Sequence, residues 1–117
     1  MKITKTYFML FATQMDRTVG FYRDALGLQV RMQSPYWSEL AWGDATIALH
    51  GREESGVGET ETMLGFEVDD LEAACKAVEG AGGRVVEPPV DRPDEGIQLA
   101  RAADPDGNVF TLGTSAR

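Results

Sequence analysis

The sequence repeats itself, and this repeat constrains the fold more than any other feature. Moving the first half along the chain by 56 positions places apolar residues on apolar residues and a glycine on a glycine. The matched pairs are Met15 with Leu71, Val19 with Cys75, Tyr22 with Val78, Gly27 with Gly83, and Val30 with Val86. The chain of 117 residues suits one compact domain, so a single domain made of two similar halves is predicted.

Periodicity predicts a strand, a helix and three more strands in the first half. An apolar run at residues 6–12 is typical of a covered strand, and apolar residues at helical spacing predict a helix over residues 17–26. Asp16 is expected to cap this helix and Gly27 to end it. The three following strands are predicted at residues 28–32, 37–42 and 45–50.

The second half repeats this order. Its helix, over residues 71–80, has Asp69 or Asp70 as a candidate cap, and the Pro88-Pro89 pair predicts an irregular loop. The strands are predicted at residues 63–68, 84–87, 97–102 and 108–112. The fold class is therefore α+β, with two β-α-β-β-β modules as repeats 1–51 and 62–115 and a connector at 52–61.

Composition excludes several classes of partner. The formal net charge of −8 and the scattered basic residues argue against nucleic acid. The lone Cys75 excludes an intrachain disulfide, and no apolar run reaches membrane length. Because no signal-peptide pattern is present either, we expect a cytoplasmic protein that binds neither nucleic acid nor membrane.

Two motifs give the sequence a family resemblance. Residues 21–28 read FYRDALGL after the first strand, and residues 104–108 read DPDGN before the last. Together with the helix and glycine pattern at residues 71–83, they resemble the vicinal oxygen chelate superfamily of glyoxalases, bleomycin-resistance proteins and extradiol dioxygenases. The resemblance covers nearly the whole chain. It implies a cup-shaped mixed sheet, a small-molecule ligand or substrate, and a homodimer.

The resemblance also implies four metal-ligand positions, one on the first and one on the last strand of each module. In this sequence they fall on Tyr7, Ala48, Met63 and Thr111, which are poor ligands for a divalent ion. We therefore expect no metal and no other cofactor. The alternative is a displaced divalent-metal site, or an acid and base pair, at His50 and Glu67, which strand alternation would direct into the cup.

Without a metal, the inward faces of the cup predict a mainly apolar pocket with a few polar groups. Trp37 and Trp42 stand five positions apart and point to opposite faces, so one of them at most lies in the cup. The open alternative is that the aromatic residues fill a closed core. The candidate ligand-binding residues are Tyr7, Met9, Phe11, Trp37, Trp42, Thr46, Ala48, His50, Met63, Glu67, Val109 and Thr111.

These observations leave two functions open. The first is a protein that binds a small, partly apolar molecule without chemistry, similar to the drug-sequestering members of the superfamily. The second is a lyase, isomerase or dioxygenase of the glyoxalase type that uses His50 and Glu67, with or without a metal.

Overall fold

The structure, a computed structural model, describes residues 1–53 and 59–115, so the connector residues 54–58 lie outside the described part. The elements follow the repeated order that the sequence predicts, and the α+β class with two β-α-β-β-β modules is confirmed. They are β1 (Phe8–Ala12), α1 (Met15–Leu26), β2 (Gln29–Met32), β3 (Trp37–Trp42), β4 (Ala45–Gly51), β5 (Thr60–Glu67), α2 (Leu71–Gly80), β6 (Arg84–Arg92), β7 (Ile97–Ala103) and β8 (Asn108–Ser115).

Each module forms its own four-stranded mixed sheet. The strand orders are β1-β4-β3-β2 and β5-β8-β7-β6. The first strand of each module pairs parallel with the last, and the remaining pairs are antiparallel. A parallel pair needs a long crossover connection, which each module provides by its helix and two middle strands.

Each helix covers one face of the sheet in its own module. Alternate residues of β1, such as Leu10 and Ala12, are buried on the face that α1 covers, while Met9 and Phe11 on the other face are exposed. In the second module α2 buries Leu71, Cys75 and Val78. Of the helices in the described residues, none is long and apolar enough to span a bilayer. Because the helices bury one face of each sheet, the faces turned away from the helices are the exposed ones.

The two helix caps differ from each other. Asp70 caps α2, because its carboxylate accepts a hydrogen bond of 3.0 Å from the backbone N–H of Ala73. The prediction that Asp16 caps α1 is wrong: the helix begins two residues earlier, at Met15, and Gln14 occupies the cap position without a side-chain hydrogen bond. Asp16 lies in the first turn, where a negative charge still favours the helix dipole.

The predicted loop at Pro88-Pro89 is also wrong, because β6 continues from Arg84 through both prolines to Arg92. This strand lies at the edge of its sheet, where a residue without an N–H removes no required hydrogen bond. The pairing with β7 shifts register between Glu87 and Val90, which accommodates the two prolines.

A buried polar network joins the two modules. Asp104, in the turn after β7, accepts hydrogen bonds from the Tyr22 hydroxyl at 2.6 Å and from the Asn108 side-chain amide at 2.8 Å. Asn108 also donates to the backbone carbonyl of Phe11, at 2.9 Å. Burial raises the pKa of Asp104, whereas the hydrogen bonds from Tyr22 and Asn108 lower it. The same burial, with the adjacent Asp104 charge, raises the pKa of Tyr22 well above its ordinary value.

Asp106 extends this network to the start of α1. Its carboxylate accepts a hydrogen bond from the backbone N–H of Thr13 at 2.8 Å and others from the hydroxyls of Thr13 and Thr18. The turn at residues 104–108 therefore holds the second module against the first helix. We call Thr13, Thr18, Tyr22, Asp104, Asp106 and Asn108 the polar network.

Candidate functional site

Four rings lie together on the face of the first sheet that α1 leaves uncovered. Strand register places Phe11 opposite His50, and His50 opposite Trp37. The His50 ring meets Phe11 at 5.6 Å and Trp37 at 6.1 Å between centroids, in both cases edge to face. Tyr7 meets Trp37 in the same manner at 5.4 Å. We call Tyr7, Phe11, Trp37 and His50 the aromatic face.

Hydrogen bonds fix the indole ring of Trp37 in the aromatic face. The indole N–H of Trp37 donates to Glu39 at 2.8 Å, and Lys5 Nζ donates to both oxygens of the same carboxylate, also at 2.8 Å. The Lys5 ammonium, and then the Trp37 indole, hold the pKa of Glu39 below its ordinary value. The carboxylate therefore stays ionised and orients the indole.

The aromatic face is open to solvent and has a cation at its border. The side chain of Tyr7 is 47% exposed, and Met9 and Phe11 are also exposed. The guanidinium carbon of Arg52 lies 4.4 Å from the centroid of the Phe11 ring, within cation-π distance. A contiguous apolar patch of this kind is typical of an interaction site. Ala48, between these side chains, is fully buried and contributes no accessible surface.

The second sheet carries a smaller set of the candidate residues. Glu67 and Thr111 line a cavity of about 260 Å³ together with Gly65, Leu99 and Gly113. Val109 is buried in the core and has almost no accessible surface. The candidate residues of this sheet therefore form a shallow pocket that is separate from the four rings.

Met63 departs from the predicted alternation. The pairing of β5 with β8 shifts register between Glu61 and Gly65, and Met63 adopts a left-handed backbone with φ of 63°. Its side chain is 90% exposed. Few residues other than glycine adopt this conformation, and a bulge redirects the side chain it contains. Met63 consequently lines neither this cavity nor the larger pocket described next.

A larger pocket lies where the two modules meet. The end of α1, the start of β1, the turn after β3 and the end of β5 enclose about 690 Å³. Trp42, Thr46 and Glu67 among the candidate residues line it. We call this the junction pocket, and its defining residues are Phe8, Leu26, Trp42, Phe66, Glu67 and Asp69.

The donors at the four inferred ligand positions do not fit a divalent metal. Ala48 has no donor and is buried, and Met63 offers only a thioether. Tyr7 packs its ring on Trp37, and Thr111 offers only a hydroxyl, which is a weak ligand. Within residues 1–53 and 59–115, no three His, Cys, Asp or Glu side chains are grouped so as to hold a metal ion.

His50 and Glu67, the alternative acid and base pair, lie on different sheets. His50 is in the aromatic face, whereas Glu67 borders both cavities. In the described part of the chain no hydrogen bond or ion pair joins them. The carboxylate of Glu39, the acidic residue nearest to these rings in the sheet register, is already bound by Lys5 and Trp37.

Sequence reasoning missed Lys5, Arg52 and Phe8. The contact of Lys5 with Glu39 spans 34 positions in the sequence, so only the strand register reveals it. Phe8 belongs by alternation to the face that α1 covers, and no pattern in the residues indicates that the helix leaves it exposed. The spacing of two residues between His50 and Arg52 was the one signal in the sequence that could have placed the Arg52 cation beside these rings.

In the described residues, the paired modules with their eight strands and two sheet-covering helices define a protein of the paired β-α-β-β-β class. A model of the family described as "Glyoxalase/Bleomycin resistance protein/Dioxygenase superfamily" matches residues 6–112. Because this match covers most of the sequence, the chain belongs to that superfamily. The resemblance inferred from the motifs at residues 21–28 and 104–108 is thereby confirmed.

Individual relatives agree with this assignment. A protein of Vibrio parahaemolyticus named "Probable lactoylglutathione lyase" is 29% identical over 89% of this chain and 85% of its own length. A glyoxalase/bleomycin resistance protein/dioxygenase family enzyme from Burkholderia phytofirmans has a TM-score of 0.76 at 22% identity, over 92% of this chain and 95% of that one. A lactoylglutathione lyase from Agrobacterium tumefaciens has a TM-score of 0.71 at 22% identity, over 98% and 94%. At such identities the two structures show the shared fold alone.

Proposed function

We propose that this protein binds a small, partly apolar molecule against the aromatic face, without a resident metal. The observation that carries the proposal is the group of Tyr7, Phe11, Trp37 and His50, which present their rings together on an uncovered sheet face. Apolar surface supplies the affinity of small-molecule sites, and a few placed polar groups fix orientation. Arg52, at the border of the aromatic face, is such a polar group here.

Preorganisation supports the proposal. Trp37 is held by its hydrogen bond to Glu39 and by edge contacts with Tyr7 and His50, so little side-chain freedom is lost when a planar ligand packs on it. An unheld aromatic side chain would lose more. The unsuitable donors at Ala48 and Met63 support the metal-free part of the proposal.

The experiment is a titration with 1-anilinonaphthalene-8-sulfonate, a fluorescent planar probe. We expect saturable binding that Trp37→Ala weakens about tenfold, or ~1.4 kcal/mol. Tyr36→Ala is the matched control, because Tyr36 is the adjacent aromatic residue in the sequence and is largely exposed outside the four-ring group. Equal affinities of the wild-type and Trp37→Ala proteins would contradict the proposal.

A second experiment tests whether the protein holds no resident metal. It is elemental analysis after dialysis against Zn²⁺, Ni²⁺, Mn²⁺ and Fe²⁺, and one metal per chain would contradict this part of the proposal.

A second function is supported by the Vibrio parahaemolyticus relative and its lyase name. On this alternative the protein is a glyoxalase-type lyase, isomerase or dioxygenase in which His50 and Glu67 act as acid and base or hold a metal. The test is turnover of the hemithioacetal of methylglyoxal and glutathione with and without added divalent ions. Activity lost in His50→Ala and retained in Tyr36→Ala would favour the enzyme over the binding protein.

The homodimer and the cytoplasmic location stay predictions. A partner that covers the exposed Tyr7, Met9 and Phe11 would bury the apolar patch and deepen the site. Sedimentation velocity across micromolar concentrations tests the dimer, and a monomer throughout that range would contradict it.

A further inference from the structure

The junction pocket lies at the end of the first sheet, mainly on the side opposite the aromatic face, and only Thr46 reaches it from the alternation of Ala48 and His50. Phe8 and Trp42 share the face of Leu10 and Leu40, which are buried beneath α1. Trp37, five positions from Trp42, has the opposite orientation. The pocket is therefore a second site, and its occupation does not depend on the proposed function of the aromatic face.

The walls of the junction pocket are mainly apolar and partly exposed. Trp42 is 67% exposed at its rim, and Phe8 is exposed as well, although both line a concave space with Leu26 and Phe66. The volume of about 690 Å³ is in the range of small-molecule sites, roughly 300–1,000 Å³. An aromatic or aliphatic body of moderate size would cover this surface.

The charge of the pocket selects the polar end of such a molecule. Glu67 and Asp69 are the ionisable residues that line it, and both are acidic and exposed. In the described part of the chain neither carboxylate has a side-chain hydrogen bond or an ion pair with a basic residue. The net charge of −8 adds to their negative potential.

We infer that the junction pocket binds amphiphilic organic cations. The aromatic or aliphatic body of the ligand packs against Phe8, Trp42 and Phe66, and its ammonium group pairs with Glu67 and Asp69. An anion with the same apolar body is repelled by the same two carboxylates.

The test uses two probes with one apolar body and opposite charges, 2-naphthylmethylammonium and 2-naphthylacetate. Calorimetric titration of the full chain is expected to give at least tenfold tighter binding of the cation. Glu67→Gln combined with Asp69→Asn is expected to bring the two affinities to within about threefold. The double variant Asp91→Asn with Asp94→Asn, which removes the same charge from the exposed end of β6 and the loop after it, is the matched control and should keep the preference.

The position of binding is read from the indole N–H signals of the two tryptophans in a ¹H–¹⁵N spectrum, assigned with Trp37→Phe and Trp42→Phe. We expect the cation to shift the Trp42 signal and to leave the Trp37 signal in place. The inference is overturned if the anion binds as well as the cation, if the two double variants behave alike, or if only the Trp37 signal moves. A shift of Trp37 alone would instead support the proposed function, so the two proposals fail separately.

Discussion

The turn after β3 and the turn after β7 occupy equivalent places in the two modules but make different contacts. Two residues, Gly43 and Asp44, separate Trp42 and Ala45, the last paired residues of β3 and β4 in the first module. Five residues, 104–108, separate Ala103 and Val109 in the second. The longer turn carries the carboxylates of the polar network, whereas the shorter one directly follows Trp42, which lies at the rim of the junction pocket.

The helices show the same contrast. Tyr22 of α1 donates its hydroxyl to Asp104, and the repeat places the apolar Val78 at the corresponding position of α2. At that position α2 therefore has no hydroxyl that could donate to the turn after β3. The comparison teaches that the repeat determines the order of the elements. The length of each turn and a few polar side chains determine whether the modules are joined by buried hydrogen bonds, as at Asp104, or leave a pocket between them, as at Trp42.

Replacing Asp104 in the longer turn and Trp42 beside the shorter one breaks this comparison most directly. Asp104→Ala removes the acceptor of four hydrogen bonds and leaves the buried hydroxyl of Tyr22 without a partner, so we expect a loss of about 3 kcal/mol in the free energy of unfolding. Trp42→Ala removes a largely exposed side chain and should change it by less than about 0.5 kcal/mol. Urea unfolding followed by circular dichroism measures both, and equal losses would contradict the contrast.

The glycines that the repeat aligns, Gly27 and Gly83, give the next largest effect. A Cβ at Gly83 would lie 2.5 Å from the Phe21 ring and 2.6 Å from the carbonyl oxygen of Ala103. We expect Gly83→Ala to cost about 2–3 kcal/mol by overpacking. Gly27 has a φ of 71° and no neighbour within 4 Å, so Gly27→Ala should cost only about 1 kcal/mol, from backbone strain. Thermal unfolding of the two variants tests this order, which a larger loss for Gly27→Ala would reverse.

Tyr22→Phe sharpens the comparison without changing the packing of the ring. It removes one hydrogen bond to a buried carboxylate, for which we expect a loss of about 1.5 kcal/mol in the free energy of unfolding. The matched control is Tyr7→Phe, in the aromatic face, where the hydroxyl belongs to a half-exposed ring and the loss should stay below about 0.5 kcal/mol. Guanidinium unfolding provides the measurement, and similar values for the two variants would argue against a stabilising Tyr22 hydroxyl.

The smallest effect is a difference in pH dependence between two carboxylates. The pKa of Asp104 is raised in the folded state, so its favourable contribution is complete below the unfolded pKa and is lost as pH rises through the folded value. The advantage of the wild type over Asp104→Asn should therefore shrink as pH rises above about 4, the ordinary pKa of an aspartate. The pKa of Glu39 is lowered, so the advantage over Glu39→Gln should instead be lost as pH falls through the folded pKa. Unfolding measured at several pH values tests both signs, and parallel trends would contradict them.

The order of elements could be predicted from the sequence because periodicity and glycine stops are local signals. The predictions for Asp16 and for Pro88-Pro89 were wrong for reasons that are not local. The start of α1 depends on hydrogen bonds that Thr13 and Thr18 make with Asp106, about 90 positions away. The prolines are tolerated because β6 is an edge strand, and the strand order is a property of the whole sheet.

The candidate site was only partly accessible from the sequence. Alternation places Tyr7, Met9, Phe11 and His50 on one face, and the structure has them there. Alternation fails at Met63, because the bulge in β5 cannot be seen in the residue pattern. Nor could it reveal the junction pocket, which depends on how the edges of two separate sheets meet at Phe8 and Glu67.

The polar network also has a consequence for folding kinetics. Its side-chain contacts with the turn after β7 join groups that are 82 to 97 positions apart in the sequence. Contacts across such long loops lose much chain entropy when they form, so we expect them to form after each module has folded on its own local contacts. Interactions absent from the transition state mainly slow unfolding. The network would then set how long a molecule stays folded, and leave the speed of folding to the two repeats.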